Sequence, residues 1–365
     1  MRHAHARRAG ISILLTLGLS APAGLAAAQD AGAGDPEVEV IASGLRSPRG
    51  LAFDADGALF VAETGSGGAG PCTEHPILGE ACVGRTGAVT RIEDGDQERV
   101  VRGLPSIAGP TEALGPHDVA PTGGGKLYIS VGLAGAPELR AEFGPKGRRL
   151  GHLLLANVGD DRESVADLVA YEADSNPAGG PIDSNPFGLL RDGDETLVAD
   201  AGGNALLSVD DDGDVSTVAV FPHRMVEFQD QQVPMDAVPT TVVEGDDDAY
   251  YVGQLTGFPF PVGGARVFTV EPGEDPEVYA GGFTNIIDIA FDDDGNLYVL
   301  EIAHNSLLAQ SPEGALIKVD EDGTRSTVID GLFFPGGVAL DDDGDLYVTD
   351  CGICPADGEV LHITP

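Results

Sequence analysis

The stretch AFDDDGNLYVLE at residues 290–301 has Asp292, Asp294 and Gly295 spaced as in an EF-hand, and Glu301 six residues after the glycine. It has two relatives in the chain, AFDADGALFVAE at 52–63 and ALDDDGDLYVTD at 339–350, each with a carboxylate six residues past its glycine. An EF-hand takes its first oxygen ligand five residues before that glycine. All three copies have alanine there: Ala52, Ala290 and Ala339. If NLYVL is a strand, Glu301 lies roughly 16 Å from the acidic turn, at ~3.3 Å per residue. One ion with oxygens at about 2.3–2.6 Å cannot hold both ends. DADG (54–57) and DDDG (210–213, 292–295, 341–344) therefore read as hairpin turns. In such a turn Asp bonds nearby backbone and Gly takes the positive-φ position.

The strand after the turn decides the fold. LFVAE, LYISV, LVAD, YYVGQ, LYVLE and LYVTD place a central Val or Ile at 61, 129, 198, 252, 299 and 348. Around each copy the same order recurs. A short strand, usually opened by Pro, is followed by an acidic turn, the strand just quoted, a variable loop, a third strand such as GAVTRI or ALIKVD, and a fourth such as RVVRGL or STVIDGL. Six such units with period-2 alternation predict an all-β, six-bladed β-propeller of four-stranded blades. The sixth unit ends at GEVLHITP without a fourth strand, while VEVIASGL (38–45) is an orphan strand at the other end. The orphan is expected to complete the sixth blade, since an open ring would expose two sheet edges.

The first 28 residues have a basic start (Arg2, Arg7, Arg8), an apolar run from Ile11 and small residues Ala26–Ala27–Ala28, which read as a cleaved secretory signal. Residues 29–37 then form a short linker and 38–365 a single propeller domain, with no membrane span after cleavage. The mature chain is expected to be secreted and monomeric. Loss of three arginines and no acids takes the formal charge from −40 to −43, and only Lys126, Lys146 and Lys318 are lysines. Such a surface repels phosphate backbones and anionic lipid, which argues against nucleic acid as a partner. In an exported protein the pairs Cys72/Cys82 and Cys351/Cys354 read as two local disulfides. A zinc ion on all four thiolates is the competing reading.

The repeat is also an internal control, because a residue type found in most blades serves the blade and a polar residue found once needs its own reason. The end of the second strand reads Glu63, Val131, Asp200, Gln254, Glu301, Asp350. Such carboxylates fit acceptors for backbone N–H groups in the following turn, with a carboxylate ring at the channel mouth as the functional alternative. The slot after the opening proline reads Arg49, His117, Phe187, Thr240, Ile287, Gly336, and the next Gly50, Asp118, Gly188, Thr241, Asp288, Gly337. Single-blade exceptions gather at that end: Arg49, His117, Asp118, Asn185, Asn204, Asn285, Asp288, His304 and Asn305. First-strand entries and post-strand loops share one face of a propeller, so these residues are the candidate ligand-binding set. A metal set, one divalent ion such as calcium, would draw on Glu63, Asp200, Asp288, Glu301 and His304. Phe258 and Phe260 in QLTGFPFPVGGAR (254–266) are candidates for a pocket wall or for packing on the blade top.

SPRGLAF, GPHDV, SNPFGLL, VADAGGNALL, VGQLTGFPFPVGGARVFTV, YAGGFTNIIDIAF, LYVLEIAHN and CGICPADGEVL resemble the ScyD/ScyE family of exported bacterial propeller proteins. The resemblance runs from about residue 38 to the end and implies fold and export, not a reaction. Propeller lactonases of the regucalcin and paraoxonase type share only the topology, since the post-proline slot has none of the carboxylates or amides that bind their catalytic metal. The chain lacks GxSxG, HExxH and P-loop motifs. The leading expectation is a binding or accessory protein that takes a small polar or aromatic ligand at the channel mouth. A metal-assisted hydrolase or lactonase built on His117, Asp118, Asp288, Glu301 and His304 is the second, and a scaffold for protein partners the third.

Overall fold

The computed structural model describes residues 36–159, 162–245 and 249–364. The expected signal peptide and nearly all of the expected linker lie outside the described residues. Six antiparallel blades follow one another in chain order. Their opening strands are Pro48–Phe53, Pro116–Thr122, Pro186–Asp192, Pro239–Glu244, Ile286–Phe291 and Gly337–Leu340. In blade 6 that strand is followed by Leu346–Asp350 and Gly358–Thr364, and the outer place is taken by Glu37–Leu45. The latter strand pairs antiparallel with Gly358–Thr364 from Glu37 opposite Thr364 to Leu45 opposite Gly358. The orphan strand thus closes the ring as its sequence predicts.

The side chains that define the repeat also build the core. The central residues Val61, Ile129, Val198, Val252, Val299 and Val348 are all fully buried. Neighbouring blades share apolar layers: Phe60, Val89 and Leu104 of blade 1 pack with Val119, Ile129 and Leu154 of blade 2. Leu45 and Val360 of blade 6 pack with Leu51 and Val61 of blade 1. The acidic turns are Asx turns. Asp292 Oδ1 accepts from the N–H of Asp294 at 3.2 Å and of Asn296 at 2.8 Å, and Gly295 has φ +78°. Asp54, Asp210 and Asp341 do the same in their own turns. Both cysteine pairs are disulfides, Cys72–Cys82 and Cys351–Cys354, so no thiolate is left for zinc.

Three features depart from the even repeat. Blade 1 has a 15-residue third strand, Gly79–Glu93, and a 13-residue fourth, Asp96–Ala108, with the short strand Cys72–His75 paired to the third. Helices Pro137–Glu142 and Gly144–Gly147 interrupt blade 2 and Leu168–Ser175 follows its last strand, where no helical period is visible in the sequence. A hairpin, Arg224–Phe228 with Gln231–Met235, is inserted between blades 3 and 4. Of these, the blade 1 extension supplies part of the wall described next.

Candidate functional site

Proline fixes the entry of most first strands, and the residue behind it enters the channel from each blade in turn. Arg49, His117, Phe187, Thr240 and Ile287 all line one cavity of about 490 Å³. Phe334 and Ile353 supply the share of blade 6, while Ile77, Glu112 and Leu114 overhang it from the segments flanking the long hairpin of blade 1. Leu255, Phe260, Ile302 and Leu307 complete an apolar wall from the post-strand loops of blades 4 and 5. Phe260 faces the cavity, whereas Phe258 is half exposed and meets Phe228 edge-to-face at 5.0 Å. The two phenylalanines thus divide the roles of pocket wall and blade-top packing.

Three of the polar residues on this wall hold a buried atom without a hydrogen-bonding partner. The imidazole of His117 is fully buried, tilted against Phe187 at 4.4 Å, with Nδ1 3.0 Å from the carbonyl oxygen of Pro186. A carbonyl only accepts, so Nδ1 carries the proton and Nε2 presents a lone pair, which has no protein partner. Burial, and then the charge of Arg49, lower the His117 pKa to about 3, so the ring is neutral at physiological pH. Arg49 is 2 % exposed; it donates to Glu112 at 3.2 Å and keeps a buried Nε without a partner. Asn185 Oδ1 is the third unpartnered buried atom on the wall. Gly132 is required beneath this group, since a Cβ there would lie 2.1 Å from the His117 ring and 2.5 Å from Asn185 Oδ1.

The other sequence candidates are placed elsewhere. Asn204 and Asn285 adopt left-handed backbone and clamp loops together: Asn204 accepts from the Val238 N–H, and Asn285 donates to the Leu255 carbonyl and accepts from the Leu307 N–H. Asn305 ties its own loop to Ser311 and Glu313. Asp118 and Asp288 bridge neighbouring blades and are partly buried. Asp118 accepts from Val119 and Leu189 N–H groups, and Asp288 from Thr241 Oγ1 and the N–H groups of Ile289 and Val338. Glu301 and His304 stand at a separate open cleft of about 330 Å³.

The carboxylates at the ends of the second strands serve the blades: Asp200 accepts from the Gly203 N–H of the following turn at 2.9 Å, as expected, and a further bond recurs in all four. Each accepts from a backbone N–H in the loop that leads into its own blade: Glu63 from Arg46, Asp200 from Asn185, Glu301 from Thr284 and Asp350 from Phe333, at 2.6–2.8 Å. Gln254 keeps the link with polarity reversed, donating to the Ala237 carbonyl. Among the described residues no three His, Cys, Asp or Glu side chains stand close enough to share a metal ion. The proposed metal set of Glu63, Asp200, Asp288, Glu301 and His304 is dispersed over four surroundings. The hydrolase set of His117, Asp118, Asp288, Glu301 and His304 is likewise split between the cavity, the blade interfaces and the open cleft.

An acidic group that the repeat does not reveal lies beside blade 3. Burial and the neighbouring Asp200 and Asp183 charges raise Glu172 to about 7, and burial with Asp200 and Asp236 raises Asp183 to about 6. Asp288 is also raised to about 6, by burial. Raised carboxylates stabilise the fold most below their ordinary range near 3.8–4.5, and lose that contribution as pH climbs through 6 to 7. His117 acts in the opposite sense, its contribution being complete above 6.5 and lost as pH falls toward 3. These groups, with Asp118 also raised by burial and the Asp288 charge, outweigh one histidine, and self-repulsion of an acidic surface adds to them. The expected result is a Tm higher at pH 5 than at pH 7.5 by on the order of 5 °C, measured by calorimetry at fixed ionic strength.

The sequence matches no protein-family model, and no curated protein matches it. Solved structures do share its fold. A structural-genomics protein of unknown function from Bacteroides thetaiotaomicron aligns with TM-score 0.55 at 11% identity over 90% of this chain and 76% of its own. A glucose dehydrogenase aligns at 0.54 and 16% identity over 90% and 100%. A putative gluconolactonase aligns at 0.52 and 12% identity over 91% and 93%. The chain therefore shares a β-propeller fold with these proteins. At these identities the likeness extends to fold alone.

Proposed function

We propose that this chain is an exported propeller that binds a small molecule in the channel-mouth cavity, through an apolar and aromatic wall and one hydrogen-bond donor placed on His117 Nε2. The observation that carries this reading is the buried, unprotonated Nε2 of His117, which has no protein partner and lies on the wall of a largely apolar cavity. A buried acceptor left unmatched costs about 1–3 kcal/mol, so a ligand hydroxyl or N–H is favoured there over a purely apolar group. Arg49 Nε and Asn185 Oδ1 add one donor and one acceptor to the same wall. Two disulfides and the N-terminal signal-like segment support an oxidising, extracytoplasmic setting.

The test is a thermal-shift screen of small aromatic and alicyclic compounds with and without a hydroxyl or N–H donor. Donor compounds are expected to raise Tm in the wild type. His117→Phe should weaken their affinity by about tenfold or more while leaving donor-free analogues unchanged. Ile287→Trp, which fills the cavity, should abolish both. Equal stabilisation of wild type and Ile287→Trp would show that the compounds bind elsewhere and would remove this reading. A protein partner on the same face is favoured by one observation, the exposed Ile77, Phe258, Leu308 and Phe333 at or beside the cavity rim. Light scattering with candidate partners, before and after Phe258→Ser, separates that reading from the first.

A further inference from the structure

Blades 1 and 5 both end their second strand in glutamate, and strand register allows their surroundings to be matched position by position. In blade 1 Glu63 is opposite Ala88, and Thr90 is opposite Arg99. In blade 5 Glu301 is opposite Ala315, and Ile317 is opposite Thr327. Both ladders carry a register shift at the same place, before Thr90 and before Ile317.

The occupants differ. Arg99 closes the blade 1 position, with Nε 2.8 Å from Glu63 Oε1 and a terminal nitrogen 2.7 Å from Oε2, and it also donates to the Gly44 carbonyl at 3.0 Å. Its counterpart in blade 5 is Thr327, which is too short to reach. Arg325, two residues earlier, donates to the Gly281 carbonyl at 2.7 Å and lies over the Phe283 ring at 4.0 Å. Among the described residues no ion pair to Glu301 is formed. Glu301 is 6 % exposed; its Oε1 accepts from the Thr284 N–H, and its Oε2 has no hydrogen-bonding partner among the described residues. Asp330 stands where blade 1 has Arg102, each being opposite the alanine that faces the glutamate. The cleft of about 330 Å³ that results is bounded by Glu301, His304, Asp330, Thr327 and Ile317, and His304 Nδ1 is buried there without a partner.

We propose that this blade 5 cleft binds the guanidinium or primary ammonium group of a small molecule, in the place that the Arg99 guanidinium fills in blade 1. The site shares no lining residue with the channel-mouth cavity, so it does not depend on the function proposed above. A nearly buried carboxylate is stabilised strongly by a fork of charge-assisted donors, and blade 1 shows that geometry within the same molecule. Ile317 offers apolar surface to a short alkyl stem. Arg325 lies along the same cleft and supplies part of the countercharge.

The experiment is calorimetric titration with agmatine and with methylguanidinium at 150 mM salt, and with butyramide as an uncharged control. Wild type should bind both cations saturably, one per chain, and not butyramide. Glu301→Gln keeps an acceptor for the Thr284 N–H but loses the charge, and should weaken binding by about tenfold or more with little change in Tm. Thr327→Arg, which copies blade 1, should abolish binding and leave Tm equal or higher. Absence of saturable binding to the wild type would overturn the proposal. So would equal affinity in wild type and both variants, which marks diffuse attraction to an acidic surface.

Discussion

A chain that begins after Leu45 is expected not to form a stable ring. The closing strand Glu37–Leu45 is mostly exposed, so its value is not area alone. It pairs along the whole of Gly358–Thr364, which would otherwise be a bare edge beside another open edge. Its last residue, Leu45, is fully buried with Leu51, Leu59, Val61, Ile92 and Val360, at the contact between blades 6 and 1. Loss of one buried leucine costs about 2–5 kcal/mol by itself, comparable with much of the 5–15 kcal/mol of a typical fold. Truncation should lower Tm by more than 10 °C or abolish a cooperative transition, and size-exclusion chromatography should show soluble aggregates. Adding a synthetic peptide of residues 36–46 should recover part of the loss. A truncated chain that melts like the full one would mean that the blade 6 edge is protected by other means.

This closure, the six buried Val and Ile positions and the Asx turns were legible because they repeat. A repeated requirement of the backbone leaves a repeated residue, so Asp292 with Gly295 can be read as a turn from its copies at Asp54 and Asp341. The site was legible by half. The post-proline slot correctly collects residues that line the cavity, but a sequence slot does not say which member matters. Phe187, Thr240 and Ile287 look like filler in the slot and form wall in the structure. Asp118 and Asp288 look like ligands because they are exceptions. A carboxylate that bonds backbone across a blade interface and one that awaits a substrate are the same letter. Glu301 and His304 went to another cleft because strand period fixes the end of the sheet on which a residue lies, not the direction in which the following loop leaves it. The long hairpin of blade 1 and the Glu172–Asp183 group come from insertions, where no second copy exists for comparison.

Asp118 and Asp288 carry the other large expected effect. The slot they occupy lies where blades crowd together around the channel: a Cβ on Gly50 would lie 2.0 Å from Asp118 Oδ1, and one on Gly337 would lie 2.9 Å from the Cα of Gly50. Gly50 thus makes room for the Asp118 carboxylate, and Gly337 for the backbone of Gly50. Asp118 links blade 2 to blade 3 through the Leu189 N–H at 2.7 Å, and Asp288 links blade 5 to blade 6 through the Val338 N–H at 2.9 Å. Asp288 also accepts from Thr241 of blade 4 at 2.6 Å. Burial raises both above the usual carboxylate range, with each charge opposing the other at Asp118, so charge is costly here and the bonds are what retain it. Alanine at either position leaves two buried backbone N–H groups without an acceptor, each worth about 1–3 kcal/mol. Each variant is therefore expected to lose roughly 2–5 kcal/mol in urea denaturation, with m unchanged. Asp288→Asn keeps one acceptor oxygen and should lie between, while removing the Asp288 share of the pH dependence of Tm. Because these carboxylates stand outside the cavity wall, Kd for a channel-mouth ligand should change less than about threefold in any variant that remains folded. A variant with normal stability and lost binding would return Asp118 or Asp288 to the ligand site.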